Sequence, residues 1–465
     1  MLDRGICAQD PCDSLECYPE PRVVIIGAGM AGLSAAVRLT QRGINNYVIL
    51  EAYERPGGRI HSCFLGDVVA ELGAGYDFPY RSNHTVYEIA AQENPPRPGV
   101  PGGYKQHGSL VNFLSLRIQQ ELHEFPEDQQ HDAARIMFGL SHVLTARCGD
   151  DRAMLCYDHV GCYMAMQGGV VRVPLGTLGA LAPLLHKIPE AHIRYCKPVN
   201  CVYWGTAQKV GTRALVCTAD GEEYPCDYVI STVSLGVLIA NSSRLFCPDL
   251  PLSKMGAIHH IGVGNINKIY LEYSRPFWHW HKGDINVKCC HCALCSGNDW
   301  TRGITTIEKV PNSHHVLCVR VIGREAWLME TCSDRDVAES VTNLLRKFTG
   351  NNGIPYPATV LRSQWVSDPF FMGSHSFERL DTGGQAQRAL ACPIPGPGES
   401  CPPIICFAGE ATVPGYFGTI AGARLSGIRE AERIVQLTLQ FEGSPLRFMS
   451  RTEADKEAKK CEVKN

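Results

Sequence analysis

Short apolar runs alternate with glycine-rich turns in the first part of this chain. Residues 23–26, VVII, form a continuous apolar run of the kind found in a central parallel strand that is covered on both faces. A turn with three glycines and a helical pattern follow, and the next apolar run, NYVILEA, ends at Glu51. This order predicts a strand, a tight turn, a helix and a second strand.

The same criterion predicts further strands. VVAELGAGYDF and YVISTVSLGV each contain an apolar run, and IICFAGE follows a Pro/Gly-rich connector at residues 392–403. NINKIYLEY, residues 265–273, has the β-branched, aromatic and aliphatic residues that suit a strand, with Lys268 in its middle. A buried lysine needs water, a partner or a chemical task for its ammonium group, and a lysine that snorkels from an edge strand is the alternative.

The composition indicates a globular protein with more than one domain. The chain has 465 residues, of which 45% are hydrophobic and 20% are charged, and this length suggests two or three domains. The net charge is -3 and Lys and Arg residues are scattered, so no nucleic-acid partner is predicted. The 22 cysteines are predicted to be reduced thiols rather than a disulfide framework, because no secretion signal is recognised.

Targeting and membrane segments are not recognised in the sequence. The first residues, MLDRGICAQDPCDSLECYPEP, lack an apolar core, and the final CEVKN matches neither a peroxisomal address nor a prenylation box. No run of about 18 apolar residues occurs. We therefore expect a cytoplasmic protein without a membrane partner. Its oligomeric state is left open, with a monomer among the options.

The glycines of the first turn carry the sharpest chemical signal. Gly27, Gly29 and Gly32 form G-x-G-x-x-G between the predicted strand and helix, and Glu51 ends the second strand. Such glycines allow a tight turn and let a pyrophosphate approach the helix N-terminus. The Glu51 carboxylate would accept hydrogen bonds from a ribose and repel a 2′-phosphate. The chain is therefore predicted to bind a dinucleotide, either NAD or FAD.

A second basic, glycine-rich segment, ERPGGRI, directly follows and is suited to a second phosphate contact through Arg55 and Arg59. Together these motifs resemble the FAD-dependent amine oxidase family, whose N-terminal signature is G-x-G-x-x-G, then E-x-x-x-R-x-G-G-R, then E-L-G-A. The segment CFAGEATVPGYFGTIAGARLSGIREAERI, residues 406–434, resembles the closing motif of that family. The similarity is greatest to animal polyamine oxidases of the spermine and acetylpolyamine type and spans about residues 22–440.

This resemblance implies an α/β fold with a discontinuous Rossmann-type FAD-binding domain and an α+β substrate domain. The FAD-binding domain would take residues 1–80, 195–285 and 390–440. The substrate domain would take residues 81–194 and 286–389, and residues 441–465 would form a charged C-terminal tail. The FAD is expected to be non-covalent, because no cysteine stands where the monoamine oxidases attach their flavin.

The resemblance also implies site residues. Lys268 matches a lysine that reaches toward flavin N5 through a water and helps O₂ to reoxidise the reduced flavin, so it is the predicted catalytic residue. Glu410 resembles an acid near the flavin ribityl and phosphate region, with a buried acid that caps the next segment as the alternative. Val199 would contact the adenine unless it is an ordinary strand valine. The predicted cofactor-binding residues are Gly27, Gly29, Gly32, Glu51, Arg59, Gly73, Val199, Gly409, Glu410 and Ile420, the last through its backbone amide at the start of a helix over 420–434.

The substrate side departs from the pattern of the family. Animal polyamine oxidases carry W-I-H-G after E-L-G-A, whereas this chain places Tyr76, Asp77 and Phe78 there. Phe78 stands in the place of a histidine that contacts substrate, and phenylalanine neither titrates nor hydrogen-bonds. Either the substrate is a more apolar amine, with Phe78 and Trp365 as walls of the pocket, or polar recognition has moved to Asp77 and His375. The alternatives are a solvated turn acid for Asp77 and a satisfied polar side chain for His375. The predicted substrate contacts are Phe78, Trp365, His375 and Thr419.

A cysteine-rich run, CCHCALC at residues 289–295, supplies soft metal ligands. A complete zinc site needs a second pair of ligands, and none is evident nearby in the sequence. A reduced surface loop is therefore the default interpretation, and no metal is predicted.

Three functions follow from these observations. The first is flavin-dependent oxidation of an amine C–N bond, with a polyamine as substrate, O₂ as oxidant and H₂O₂ as product. The second is a chromatin lysine demethylase, which shares the oxidase domain but needs a long helical insertion and an extra module for which this chain has no room. The third is an FAD-binding protein with little turnover that acts as a binding or regulatory partner, which the replacement of the histidine by Phe78 motivates.

Overall fold

The computed structural model describes residues 20–75, 110–145, 149, 176–205, 213–278, 286–288, 299–379, 384–396 and 402–440. The strands, in chain order, are β1 Val23–Ile26, β2 Tyr47–Leu50, β3 Ser62–Leu65, β4 Val68–Glu71, β5 Ile193–Arg194, β6 Val199–Trp204, β7 Ala214–Thr218, β8 Glu223–Cys226, β9 Tyr228–Ser231, β10 Phe246–Cys247, β11 Ile261–Gly264, β12 Ile266–Glu272, β13 Asn286–Lys288, β14 Ile304–Lys309, β15 Val316–Ile322, β16 Thr359–Arg362, β17 His375–Glu378 and β18 Ile405–Phe407.

The α-helices of this part of the chain range from single turns to a long closing helix. In chain order they are α1 Met30–Gln41, α2 Leu110–Leu122, α3 Glu127–Thr145, α4 Ala182–Leu185, α5 Leu235–Leu245, α6 Leu252–His260, α7 Arg324–Glu330, α8 Asp334–Thr349, α9 Gln385–Ala391 and α10 Ile420–Gln440. Short 3₁₀ turns precede α4 at Thr177–Leu181 and follow β18 at Glu410–Thr412. The protein is therefore of mixed α/β composition.

A five-stranded sheet with the order β18-β9-β1-β2-β5 forms the first core, and all of its pairs are parallel. Every residue of β1 and β9 is buried, as expected for parallel strands covered on both faces. Helix α1 packs against α10, and their backbones approach so closely that a Cβ on Gly427 would lie 2.0 Å from the carbonyl oxygen of Ala31. The strand, turn, helix and strand predicted from residues 23–51 are confirmed.

The second large sheet has the order β13-β14-β15-β12-β16 and is antiparallel. The predicted strand around Lys268 is confirmed as β12, which pairs with β15 on one side and β16 on the other. The interpretation of Lys268 as a lysine on an edge strand is therefore wrong. Its inner position follows from strands that lie far away along the sequence, which the local pattern does not show.

Strand pairing crosses two of the predicted segment boundaries. The strand that carries Lys268 lies within residues 195–285, but both of its partners come from residues 286–389. Conversely, β5 precedes residue 195 and extends the parallel sheet beside β2. Composition along the chain marks where a segment changes character, whereas sheet membership depends on the distant partners of each strand.

Several sequence predictions lie outside the described residues. They are the segment Tyr76, Asp77 and Phe78, the cysteine-rich run 289–295, the first nineteen residues and the tail 441–465. Within the described helices, none is both long and apolar enough to span a membrane.

Candidate functional site

The glycine turn between β1 and α1 has the conformation that its sequence predicts. Gly27 has a φ of +103°, and a Cβ on Gly32 would lie 2.0 Å from the carbonyl oxygen of Gly27. Both positions therefore require glycine for reasons of backbone geometry. Gly29 differs, because its φ is −75° and a Cβ there would meet nothing closer than Gly57 O at 3.9 Å. The protein itself does not require glycine at position 29, which leaves room for another group to approach the helix N-terminus.

The N-terminus of α1 is suited to an anion. Gly29 is its N-cap and makes no side-chain hydrogen bond, and the first turn contains no acidic residue. Free amides and the helix dipole at such an end attract negative charge, as in phosphate-binding turns.

Glu51 closes the turn from the end of β2. Its buried carboxylate accepts hydrogen bonds from the amides of Ala28 at 2.7 Å and Tyr53 at 2.9 Å. Burial raises the pKa of Glu51, and the two amides oppose that change. A carboxylate offers about four acceptor positions, so the same oxygens retain capacity for hydroxyl groups of a ligand.

The second glycine-rich loop lies against the first. Gly57 and Gly58 both have positive φ, and the Gly57 amide donates to Ala28 O at 2.9 Å. Arg55 Nη1 donates to Gly58 O at 3.1 Å, which fixes the shape of the loop. The two loops that the sequence predicts to contact phosphates are thus adjacent.

Arg59, at the end of the second loop, forms an ion pair with Glu410. Arg59 Nη1 lies 3.1 Å from Glu410 Oε1 and 3.0 Å from Ser374 O. The Glu410 carboxylate also accepts from the Ser376 amide at 3.1 Å, from the Ser376 hydroxyl at 2.5 Å and from the Gly418 amide at 2.6 Å. Burial alone would raise the pKa of Glu410, but Arg59 and these donors together lower it.

These contacts link Glu410 to the start of α10. Thr419 caps that helix, since the Gly422 amide donates to Thr419 Oγ1 at 3.0 Å and the Ala423 amide to Thr419 O at 3.1 Å. Gly409 has a φ of +125° with open space beside it, and a small cleft is lined by Arg59, Gly409 and Glu410. The hydrogen bond from the Gly418 amide is the contact expected if Glu410 is a buried acid that caps the next segment. The Thr419 hydroxyl is hydrogen-bonded within its own helix end.

The ammonium group of Lys268 is buried and has hydrogen-bond partners. The residue is 7% exposed, and its Nζ donates to the carbonyl oxygens of Glu71 at 3.0 Å and Gly73 at 2.9 Å. A Cβ on Gly75 would lie 3.4 Å from the same Nζ. The ammonium group is therefore held against the E-L-G-A segment, which is itself predicted to contact the cofactor.

The side chain of Glu71 holds the E-L-G-A segment in place by hydrogen bonds. The sequence pattern does not predict this function. The Glu71 carboxylate accepts from the Thr177 amide and hydroxyl, both at 2.6 Å, and from Ser62 Oγ at 2.8 Å. Its carbonyl oxygen receives Tyr270 OH at 2.9 Å in addition to Lys268. The position of Glu71 at the end of a predicted strand is the one feature of the sequence that could have indicated this function. Its partner Thr177, however, lies more than a hundred residues away in the sequence.

A buried polar network supports the other face of β12. Asn267 is fully buried, donates to Glu330 Oε1 at 2.6 Å and accepts from the Trp365 amide at 3.1 Å. Trp365 Nε1 donates to Leu72 O at 3.0 Å, and a Cβ on Gly73 would lie 3.0 Å from the Trp365 ring. Trp365 therefore lies beside Lys268 at the E-L-G-A segment.

The remaining predicted contacts lie at the two ends of this arrangement. Val199 begins β6 and is partly buried against the core, two residues after Lys197, whose amide donates to Glu51 O at 2.8 Å. His375 begins β17 and its Nδ1 lies 2.9 Å from Ser374 Oγ, next to the Arg59 contact at Ser374 O. Phe78 lies outside the described residues.

The predicted residues thus form one continuous strip. Hydrogen bonds connect the neighbourhood of Val199 to Glu51, then to the glycine turn, the second loop, Arg59 and Glu410. The Ala74 amide donates to Arg59 O at 2.9 Å, which joins the strip to the segment that holds Lys268. The strip combines open space at Gly29, free acceptor capacity at Glu51 and a helix N-terminus for phosphate, so it fits an extended dinucleotide.

Comparison with known proteins shows the family of the chain. The family model for flavin-containing amine oxidoreductases matches residues 30–127 and 109–435. The Drosophila melanogaster protein anon-37Cs is 30% identical, over 90% of this chain and 91% of its own. The human peroxisomal N(1)-acetyl-spermine/spermidine oxidase is also 30% identical, over 90% of this chain and 95% of its own, and maize polyamine oxidase 1 is 26% identical, over 91% and 92%. The chain therefore belongs to the flavin-containing amine oxidoreductase family, and its cofactor is FAD.

Proposed function

We propose that this protein is an amine oxidase that oxidises a C–N bond of a polyamine such as spermine, spermidine or their acetylated forms. The observation that supports this best is the continuous strip of contacts from Val199 to Lys268, which joins a dinucleotide-binding turn to a buried lysine. Among the relatives, the human protein is named as an N(1)-acetyl-spermine/spermidine oxidase and the maize protein as a polyamine oxidase, which favours this substrate class.

Under this proposal the parallel sheet with its glycine turn is a Rossmann-type FAD-binding unit assembled from separate segments of the chain. The antiparallel sheet that contains β12 carries the substrate side. The reacting end of the cofactor would then lie where Gly73, Trp365 and Lys268 meet, and the adenine end would lie near Val199. The FAD is held without a covalent bond.

FAD held at this site would supply the redox chemistry, in which the amine loses a hydride equivalent, the resulting iminium is hydrolysed to an aldehyde and an amine, and O₂ takes up the two electrons and two protons to give H₂O₂. The protein contributes binding and electrostatics. The α1 N-terminus and the second loop would hold the pyrophosphate, and Glu51 would accept hydrogen bonds from ribose hydroxyls. The amides in the first turn of α10, including that of Ile420, would favour negative charge on the cofactor.

Lys268 acts in the oxidative half of the reaction. Its Nζ holds a proton at a fixed position because two carbonyl oxygens orient it. A positive charge at this position stabilises the negative charge that develops on oxygen as O₂ is reduced, and it orients a water. Trp365, fixed by Asn267 and Leu72, forms a rigid wall beside it.

An amine panel tests this function. The purified chain, loaded with FAD, is mixed with spermine, spermidine, their acetylated forms and aromatic monoamines, and H₂O₂ release is measured in air. Loss of the visible flavin absorbance is followed without oxygen. We expect at least one polyamine to give both signals, and oxidation of aromatic monoamines alone would contradict the proposed substrate class.

The second candidate is an FAD-binding protein with little turnover. Phe78 in place of a substrate-contacting histidine favours it, because that side chain cannot orient a charged amine by a hydrogen bond. The same panel separates the two. If the protein retains FAD but no amine reduces its visible flavin absorbance under anaerobic conditions, the second candidate is supported and the first is excluded.

Cytoplasmic residence remains a prediction. The bovine and human relatives are named as peroxisomal, so location requires a direct measurement on this chain. Imaging of the full chain in cells with a peroxisomal marker distinguishes the two compartments, and co-localisation with the marker would contradict the prediction.

A further inference from the structure

Two cysteines face each other across a β-ladder outside the site. Cys201 in β6 and Cys217 in β7 are direct register partners in an antiparallel pair. Such partners have Cα atoms about 4.5–5.5 Å apart, which falls within the separation of about 4.4–6.8 Å that a disulfide spans. The backbone already has the spacing of a cross-strand disulfide, and both residues are thiols in the structure.

Both thiols lie on the face of the sheet opposite that of the neighbouring pair Val202 and Val216, and both are partly exposed. Their neighbours Val202 and Val216 are buried in the core and pair with each other, whereas Cys201 and Cys217 are half-buried. Successive side chains of a strand point to opposite faces. The two sulfur atoms are therefore on the same side of the sheet and within reach of a small solute.

A local irregularity adds freedom to bring the sulfur atoms together. The register shifts between Val199 and Cys201, so that one extra residue is accommodated in β6 directly beside the pair. Bulges of this kind increase local twist. Side chains of register partners are about 4.5–5.5 Å apart at Cβ, and a disulfide needs about 3.5–4.5 Å, so a small twist is sufficient.

A third thiol lies near the pair without forming a metal centre. Cys247 in β10 pairs with Tyr203, the next residue of β6 on the same face as Cys201. Within the described part of the chain, no group of three or more His, Cys, Asp or Glu side chains is arranged to hold a metal ion. The pair is thus better suited to thiol oxidation than to metal binding.

We propose that Cys201 and Cys217 form a reversible disulfide when the protein meets a peroxide. One thiol attacks H₂O₂, which breaks the O–O bond, releases water and leaves a sulfenic acid. The second thiol then attacks that sulfur, forms the S–S bond and releases a second water. Two thiols lose two electrons and two protons in total, and one H₂O₂ becomes two H₂O.

The bridge would brace the strand that begins at Val199. It closes the β6–β7 hairpin two residues from Val199, and the preceding Lys197 amide contacts Glu51 O. Oxidation at this site therefore restrains the end of the molecule at which the adenine is proposed to lie. The site itself requires only the β-ladder and an added peroxide, so it does not depend on turnover of an amine.

Peptide mapping tests the proposal directly. The full chain with FAD is reduced, desalted, exposed to H₂O₂, blocked with N-ethylmaleimide and digested with trypsin without reductant. Trypsin cuts after Lys209 and Arg213, between the two cysteines. We expect a linked pair of peptides, two hydrogens lighter than their sum, that disappears on reduction.

Single serine variants identify the bridge. Cys201→Ser and Cys217→Ser should each abolish the linked pair, and Cys196→Ser and Cys247→Ser should leave it in place. Cys196 is the matched control because it falls on the same tryptic peptide as Cys201, since trypsin does not cut before Pro198. A pair that survives Cys217→Ser, a bridge from Cys201 to Cys247, or oxidation of Cys201 without any linked peptide would each overturn the proposal.

The pH dependence provides a second measurement. Burial raises the pKa of the Cys201 thiol, and the thiolate is the form that attacks. The linked pair should therefore form faster at about pH 9 than at about pH 7, because the thiolate fraction increases with pH. A rate that does not increase with pH would contradict attack by a thiolate of this pair and with it the proposed step.

Discussion

At the scale of single residues, the sharpest prediction concerns the buried Lys268 and the reoxidation of the reduced enzyme. Replacing Lys268 by Met keeps the length of the side chain and removes the charge beside Glu71 and Gly73. We expect reoxidation of the reduced enzyme by O₂ to slow by about 10²-fold, because one charged donor is lost, while anaerobic reduction by substrate changes much less. Stopped-flow measurement of each half-reaction gives the two rates.

Lys254 provides a matched control for that variant. It is also buried, and its Nζ donates to the carbonyl oxygens of Ala389 and Leu390, both at 2.8 Å, and to that of Cys392. Lys254→Met should lower thermal stability and leave the ratio of the two half-reactions unchanged. If both variants slow reoxidation equally, or Lys268→Met slows only reduction, the assigned function of Lys268 fails.

The pH dependence of stability should follow Glu410. Its pKa is lowered below the ordinary value of 4.5, so its contribution to folding is present above that value and is lost as the pH falls through the lower folded pKa. Glu410→Gln should reduce the free energy of unfolding at neutral pH by about 3 kcal/mol, because a buried ion pair loses one partner. The gap between variant and wild type, measured by urea unfolding, should narrow below pH 4.5.

Glu432 is a suitable comparison for Glu410. Hydrogen bonds from Arg42 and Arg38 lower its pKa as well, but its side chain is more exposed. Glu432→Gln should therefore change stability little at any pH. A gap for Glu410→Gln that widened in acid would contradict a lowered pKa for Glu410 in the folded state.

At the scale of elements, the packing of α1 on α10 makes an unusual demand on a helical glycine. Alanine normally stabilises the interior of a helix by about 0.5–1 kcal/mol relative to glycine. At Gly427 the added Cβ would lie 2.0 Å from Ala31 O, whereas at Gly256 in α6 nothing lies within 4 Å. We expect Gly427→Ala to destabilise by about 3 kcal/mol and Gly256→Ala to stabilise.

Urea unfolding of both glycine variants measures the difference. Equal effects of the same sign would show that α1 and α10 do not pack as described. FAD retention should fall in Gly427→Ala only, because the N-termini of these two helices are proposed to face the cofactor.

The elements also show what the sequence can predict. Residues 23–51 form their strand, turn and helix from local information, since an apolar run, three glycines and a helical pattern follow one another directly. The strands that lead into E-L-G-A and lie within NINKIYLEY are predicted in the same way. Their partners are not, because the pairing of β12 with β15 and β16 joins residues about fifty and ninety positions apart, and no local periodicity encodes such pairing.

For the site, too, local sequence predicts the residues but not their distant partners. Resemblance predicts Lys268, Trp365 and Glu410 as site residues, but the groups that hold these side chains are revealed only by the fold. The carbonyl oxygen of Glu71 and the amide of Gly418 are backbone atoms of a kind that nearly every residue possesses. Their function depends on where the chain brings them, so residue type alone provides no signal.

At the scale of the whole molecule, the strip connects segments from the first quarter of the chain to the last. The glycine turn, the second loop, Glu410 and α10 meet only in the folded protein. A ligand that spans the strip must therefore bind the folded state and not the unfolded chain. Free FAD at about a hundredfold excess over its dissociation constant should stabilise the protein by about 2.7 kcal/mol.

Thermal unfolding with different flavins tests this directly. FMN lacks the adenosine half, so it cannot reach from Arg59 to Glu51 and the neighbourhood of Val199. We expect FAD to raise the Tm of the flavin-depleted protein and FMN to raise it far less at the same concentration. Because Glu51 closes the glycine turn, Glu51→Gln should weaken the FAD effect and leave the small FMN effect unchanged. Equal shifts with FMN and FAD would mean that the glycine turn and Glu51 do not contact the cofactor.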